Sequence, residues 1–297
     1  MKYLSAAAVL TAILIMGSAA AVSAATFKQT GAGQKTITVS WGEDLGYDYY
    51  YLNYYNASTG NSSYRYLPKG STSGTITGLK KGTRYKVSLE GWYNGSSSST
   101  SYISCATVPG SLTTVKPTGW GNGTKGYFKM SSNPYNAMDH MQWQMYTLGG
   151  VKKSYSTTTK DGFTSDVATN QCYKLRVRGG VTVNGKVVYG PWYTKIVVPQ
   201  PKLNQPSLVS GNRIRVSWRK VSGATSYVIY GSTSANSGYK KIATVGSGAS
   251  SYVVSKIYGK SLVKYKTYYT KVMAKRGKSL NSTTGNHYSS WIYTVYS

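Results

Sequence analysis

The chain has 297 residues, room for two or three domains, and carries 35 Lys plus Arg against 7 Asp plus Glu, a formal net charge of +28. With 30 Tyr but only 3 Phe, 2 Cys and 2 His, it excludes most chemistry built on several acids, clustered thiols or a histidine relay. A hydrophobic fraction of 40%, with 13% aromatic residues, can fill packed cores and argues against a disordered chain.

Lys2 is followed by an apolar run from Leu4 to Met16 and then by small residues ending in Val22-Ser23-Ala24. A basic start, a short apolar middle and an A-x-A-like end spell a secretory signal peptide over residues 1–24. The run is short for a bilayer core of about 30 Å, and no later stretch is long and apolar enough to span one. No Cys lies near the cleavage site, and no hydrophobic or sorting tail follows the strand-like Trp291 to Ser297. The expectation is a mature chain that leaves the cell without a covalent tether.

The remainder reads as short alternating strands separated by Gly, Ser, Asn and Thr, with no helical period. Thr36 to Trp41 alternates and ends on a Trp; Arg213 to Trp218 does the same, with Ile214, Val216 and Trp218 on one side. Leu79 to Tyr85 recurs as Leu262 to Tyr268, with a looser copy from Val167 to Tyr173. Each Tyr opens an alternating strand, and the aliphatic residue six before it closes the previous one. The hydroxyl can then bond back to the intervening turn, the tyrosine-corner device of two-sheet sandwiches.

On these residues, repeated at intervals of about 90, the chain resembles fibronectin type III modules, especially those of secreted proteins from Gram-positive gut bacteria. Trp218 to Tyr230 is similar to the family's B-to-C passage, and Gly238 to Ala243 to its next strand. Val183 to Trp192 resembles its F–G hairpin and last strand. The resemblance implies an all-β chain of tandem immunoglobulin-like β-sandwiches, with modules at 25–109, 110–199 and 200–297. Trp41, Tyr85, Tyr173, Trp218 and Tyr268 would be structural. The middle module is divergent, lacking a Trp near Met130, so Met141, Trp143 and Met145 are expected to fill its core. Pro109 and the pair Pro199 and Pro201 fall between modules, where strand pairing ends readily.

No Asp or Glu follows Asp166, so a paired-carboxylate hydrolase would have to draw on Glu43, Asp44, Asp48, Glu90, Asp139, Asp161 and Asp166. Glu43, Asp44 and Asp48 cluster in a loop, and oxygen ligands close in sequence suit a hard cation. The calcium-loop spacing is absent, however, and a solvated loop offsetting nearby Lys is the favoured reading. His140 and His287 lie in different modules without metal-ligand spacing. Asp139 and His140 are neighbours, which on a strand point to opposite faces. The reading is no enzyme, no metal and no cofactor.

Cys105 falls in the last strand of the first module, and Cys172 just before Tyr173. In an exported protein two Cys suggest one disulfide, which would stabilise by about 4 kcal/mol on the chain-entropy estimate. Two unpaired thiols are the alternative, since the sandwich needs no bridge.

Charge is graded along the chain: net +4 over residues 26–109, +8 over 110–199 and +15 over 200–297. Lys174, Arg176 and Arg178 alternate with apolar Leu175 and Val177. Arg213, Arg215 and Arg219 flank the inward residues of one strand in the last module; Lys271 and Lys275, beside Tyr269, do so on another. These nine residues are the candidate polyanion contacts, in a broad positive field rather than a pocket. Tyr49 to Tyr51, Tyr54, Tyr55, Tyr64 and Tyr66 suit sugar surfaces, although strand alternation turns about half of such a run inward.

The expected protein is secreted and non-catalytic, held by charge at anionic extracellular surfaces such as wall polymers, host glycans or mucin. Nucleic acid would bind only non-specifically. One alternative is a soluble ligand for a host receptor protein, as the family includes the irisin-type hormone. Another is an accessory module of a wall or glycan hydrolase.

Overall fold

The computed structural model describes residues 27–112, 115–120, 125–130, 135–158, 162–166, 170–199, 201–276 and 288–294. The expected signal peptide and His287 lie outside the described residues. Every regular element among them is a strand, as a chain of alternating apolar and polar residues punctuated by Gly and Asn requires.

The first eight strands are β1 (Lys28–Ala32), β2 (Ile37–Ser40), β3 (Tyr49–Asn56), β4 (Ser62–Pro68), β5 (Ser73–Ile76), β6 (Arg84–Tyr93), β7 (Ser96–Ser99) and β8 (Ile103–Ala106). They form a sheet ordered β1-β2-β5 and a second ordered β4-β3-β6-β7, in which β8 also pairs with β6. Ile37, Val39 and Trp41 from the first sheet meet Tyr50, Leu52, Val87 and Leu89 from the second in one buried core. Two sheets sharing a core make a β-sandwich.

The next eight are β9 (Val115–Trp120), β10 (Lys125–Met130), β11 (His140–Thr147), β12 (Lys152–Thr158), β13 (Gly162–Asp166), β14 (Tyr173–Val183), β15 (Lys186–Tyr189) and β16 (Tyr193–Val197). They order as β13-β10-β9 and as β12-β11-β14-β15, with β16 on β14. Met141, Trp143 and Met145 are all buried on β11.

The last nine are β17 (Ser207–Val209), β18 (Arg213–Ser217), β19 (Ser226–Ser232), β20 (Lys240–Gly246), β21 (Ser251–Val254), β22 (Lys256–Ile257), β23 (Lys260–Ser261), β24 (Thr267–Lys275) and β25 (Tyr288–Thr294). Sheets β17-β18-β21 and β20-β19-β24-β25 repeat the first arrangement, with β22-β23 as a small hairpin. Ile214, Val216 and Trp218 here meet Tyr227, Ile229, Val272 and Ala274. The fold class is therefore all-β, with immunoglobulin-like sandwiches.

The chain divides into two compact units. The first comprises the described residues up to Ser111 together with Asn133–Met141 and Arg178–Pro191; the second comprises Leu112–Ser132, Gln142–Val177 and the chain from Trp192 on.

Two hairpins close on the same dipeptide. Asn94-Gly95 joins β6 to β7 and Asn184-Gly185 joins β14 to β15, with φ of 47° and 77° in the first and 48° and 74° in the second. Positive φ at both central residues gives the tight turn whose twist matches the flanking strands, and Asn-Gly is the pair that adopts it most readily.

Within the first unit, β8 is closed by a side chain. The buried Gln29 amide donates to Ala106 O at 2.8 Å, and Ala106 N–H donates to Gln29 Oε1 at 3.0 Å. One amide thus imitates a neighbouring strand, satisfying an edge that would otherwise expose backbone groups.

Both cysteines are free thiols, so the bridged alternative is not realised. Each is packed inside a different core, Cys105 with Trp41 and Tyr85, Cys172 with Trp218 and Tyr227. Burial pushes the Cys105 thiol up to about 12, against a small lowering by Lys86, and the Cys172 thiol up to about 11. At neutral pH they behave as small apolar side chains.

Candidate binding surfaces

The scaffold holds itself in place through tyrosine hydroxyls. Lys80 N–H donates to the Tyr85 hydroxyl at 2.9 Å, and Val263 N–H to that of Tyr268 at 3.0 Å. Both are the corner bonds sought in the sequence, five residues back along the chain. Tyr173 is buried at the corresponding position of the middle copy.

A second set of tyrosine bonds escaped the sequence reading. Leu45 N–H donates to the Tyr50 hydroxyl at 3.1 Å, and Val221 N–H to that of Tyr227 at 2.7 Å. Each ring leans on the Trp that ends the facing strand: Trp41–Tyr50 centroids are 5.5 Å apart and Trp218–Tyr227 centroids 5.2 Å. The signal was present, since Trp41 to Tyr50 and Trp218 to Tyr227 share a nine-residue spacing.

The acidic loop is explained by the same geometry. Tyr50 donates its hydroxyl to Asp44 Oδ1 at 2.6 Å, and Gly46 N–H donates to the same oxygen at 3.1 Å. These bonds hold the Asp44 carboxyl below its ordinary value, while burial, reinforced by Asp44, pushes Tyr50 up to about 12. Asp44 is thus a structural acceptor. No cluster of three His, Cys, Asp or Glu side chains able to hold a metal ion occurs among the described residues.

Asp139 and His140 correct the sequence reading. Asp139 precedes the first residue of β11, so strand alternation does not govern it, and its Oδ1 lies 2.8 Å from His140 Nδ1. Thr182 N–H donates to both Asp139 oxygens, at 3.1 and 3.0 Å. Burial pushes this carboxyl up, but the bonds from His140 and Thr182 outweigh it and the net shift is downward. The pair anchors the end of β14 within the first unit.

The nine basic-surface candidates fall on strand faces as alternation dictates. Lys174, Arg176 and Arg178 share one half-buried face of β14, opposite the inward Leu175 and Val177. Two of them gain aromatic support that spacing alone did not reveal. Arg176 Cζ sits 4.5 Å from the centre of the Trp192 ring, and Arg178 Cζ 4.3 Å from that of Tyr189. A guanidinium stacked on a ring is held in one plane while its face is desolvated.

Arg213 and Arg215 are exposed on β18, and exposed Arg219 follows it. Arg213 is partly committed locally, since Nε donates to Ser210 O at 2.6 Å and Nη2 to Ser210 Oγ at 3.0 Å. On the other sheet of this sandwich, Lys271 lies opposite Tyr230 and Lys275 opposite Ser226, with Tyr269 opposite Ser232. Lys271 Nζ is 3.7 Å from the centre of the Tyr239 ring. The two groups occupy different sheets, so charge is spread over the module rather than gathered into one pocket.

The tyrosines of the first sandwich divide unevenly. Tyr50 is fully buried and Tyr54 packs against the core, while Tyr49, Tyr51 and Tyr55 face outward beside the exposed Tyr64 and Tyr66.

No protein-family model matches the chain, and no curated protein matches it. Among solved structures, it is similar to a two-domain fibronectin type III segment of chicken tenascin at 19% identity and a TM-score of 0.33, covering 58% of this chain and 97% of that one. It is also similar to the FN1–FN3 domains of chicken CNTN1 at 12% identity and a TM-score of 0.29, covering 91% of this chain and 97% of that one.

Proposed function

We propose that this chain is a non-catalytic binding protein that acts outside the cell, where its basic strand faces hold an anionic polymer. One observation carries the reading: residues 167–297 contain no Asp or Glu, while residues 200–297 alone contain 15 Lys and Arg. A surface kept soluble by charge alone mixes both signs and needs a net charge of only about 2–8 for a small domain. An acid-free module with +15 therefore exceeds what solubility requires.

The contacts available are of two kinds. Arg215 and Lys275 on strand faces, and Arg219 just beyond β18, are point charges that attract sulfate, phosphate or carboxylate groups at long range and with little sequence preference. Arg176 is held over the Trp192 ring, which orients its N–H edge for oxyanions. A polymer bearing repeated negative charge matches a dispersed field better than a small ligand does.

The test is retention of the full-length protein on immobilised heparin across a salt gradient. Binding at low salt should be lost by about 300 mM NaCl, where screening shortens the field to well under 10 Å. Reversing Arg215, Arg219 and Lys275 to Glu together should move elution to lower salt. Retention that ignores salt, or no retention at all, rejects the proposal.

A further inference from the structure

The outer face of the sheet β4-β3-β6-β7 carries an aromatic surface that neither core packing nor net charge explains. Alternation along β3 turns Tyr50 and Leu52 inward and leaves Tyr49, Tyr51, Asn53 and Tyr55 outside. Register then sets Trp92 opposite Tyr49, Glu90 and Tyr66 on either side of Tyr51, and Tyr64 opposite Asn53. Tyr49 and Trp92 stack at 6.0 Å with planes 13° apart, and Tyr64 meets Tyr51 edge-on at 5.2 Å. Tyr64 remains 66% exposed and Tyr66 53%. Contiguous exposed apolar surface on a protein with an intact core marks a place where something binds.

Two shallow depressions cross this face, one of ≈ 520 Å³ towards Tyr102 and one of ≈ 270 Å³ between Tyr51, Glu90 and Trp92. Asn53 and Tyr64 line both, so they form one groove. At its middle, Asn53 Nδ2 donates to Glu90 Oε2 at 2.7 Å. That bond fixes both side chains and leaves the second carboxylate oxygen and the amide oxygen as acceptors.

We infer that this groove binds an extended, uncharged polysaccharide. Pyranose rings present flat C–H faces that stack on Tyr and Trp, while tyrosine hydroxyls remain hydrated at the rim. Adjacent sugar hydroxyls donate to the Glu90–Asn53 pair. Charge selects between saccharide classes: Glu90 is the one acidic side chain lining the two depressions, and it disfavours sulfated or acidic chains there, while Lys86 lies outside them, opposite Tyr55 at the end of the face. From Tyr49 to Tyr55 the face runs about 20 Å at the usual strand rise, which suits several linked sugars rather than one. A compact organic cation is also drawn to a carboxylate among rings, but it needs rings closing around it, whereas these lie along a sheet. The site uses none of the nine basic candidates, so its binding should differ from theirs in its response to salt.

Calorimetry of the full-length protein tests this against neutral β-linked hexasaccharides of glucose, N-acetylglucosamine, mannose and xylose. A heparin hexasaccharide and choline are the comparison probes, and each titration is run at about 50 and 500 mM NaCl. At least one neutral hexasaccharide should bind with an affinity that the salt leaves unchanged. Tyr64→Ala and Trp92→Ala should each weaken it about tenfold, the usual scale for losing one stacking ring. Because Tyr64 is largely exposed, its variant should keep the wild-type melting temperature, which separates lost binding from lost folding. The inference is overturned if no neutral hexasaccharide binds, if binding vanishes at the higher salt, if choline binds in place of the sugars, or if both variants bind as wild type does.

Discussion

Gln29→Leu should destabilise the first unit by about 2–6 kcal/mol. Gln29 is 9% exposed, and its amide satisfies both backbone groups of Ala106, with a further bond of 3.0 Å from Nε2 to Gly31 O. No help comes from β6: Ala106 lies opposite Arg84, whose own carbonyl accepts from Ala57 N–H on its other side. Leucine keeps the buried volume but leaves a donor and an acceptor unmatched, at about 1–3 kcal/mol each. The assays are urea denaturation, where the midpoint should fall with unchanged slope, and hydrogen exchange at the Ala106 amide, which should lose its protection. Gln29→Glu adds a control on the cause. Its carboxylate still accepts from Ala106 N–H but faces Ala106 O without a proton, so acidification should recover part of the loss. A Gln29→Leu protein within about 0.5 kcal/mol of wild type, with Ala106 still protected, would refute the edge-closure argument.

Two further outcomes are expected. Tyr85→Phe and Tyr268→Phe should each lower stability by about 1 kcal/mol in chemical denaturation, since each strands a part-buried backbone N–H while leaving the ring in place. Acid should destabilise the fold through Asp44 and Asp139, both held below their ordinary values. A carboxyl with a depressed folded-state pKa stabilises above its unfolded pKa, and that contribution disappears as pH falls through the folded value. Melting temperature should therefore hold steady down to about pH 5 and fall below about pH 4. The double variant Asp44→Asn, Asp139→Asn should show a shallower acid decline, and an identical decline would contradict the assignment.

Much of the architecture was legible because it is written locally. Period-two alternation in Arg213 to Trp218, and the fixed distance from Leu79 to Tyr85 and from Leu262 to Tyr268, report strands and corners without knowledge of distant partners. The charge gradient is likewise a property of composition, and alternation alone assigned Lys174, Arg176 and Arg178 to a single strand face. Asp139 defeated the same rule, because where a strand begins depends on its pairing and not on the identity of one residue.

What only the tertiary structure decided is which distant residues meet. Gln29 reaches Ala106 across 77 positions, and Trp92 stacks on Tyr49 because the register of β3 on β6 sets them opposite one another. A one-residue slip would have turned those rings into the core, so the aromatic face is a consequence of register and not of tyrosine content. The two thiols obey the same logic: the sequence left a bridge and two unpaired thiols both open, and each cysteine is enclosed by a different core. Composition and period act over a few residues and survive in the linear chain; register and core membership are settled by cooperative packing over the whole sandwich.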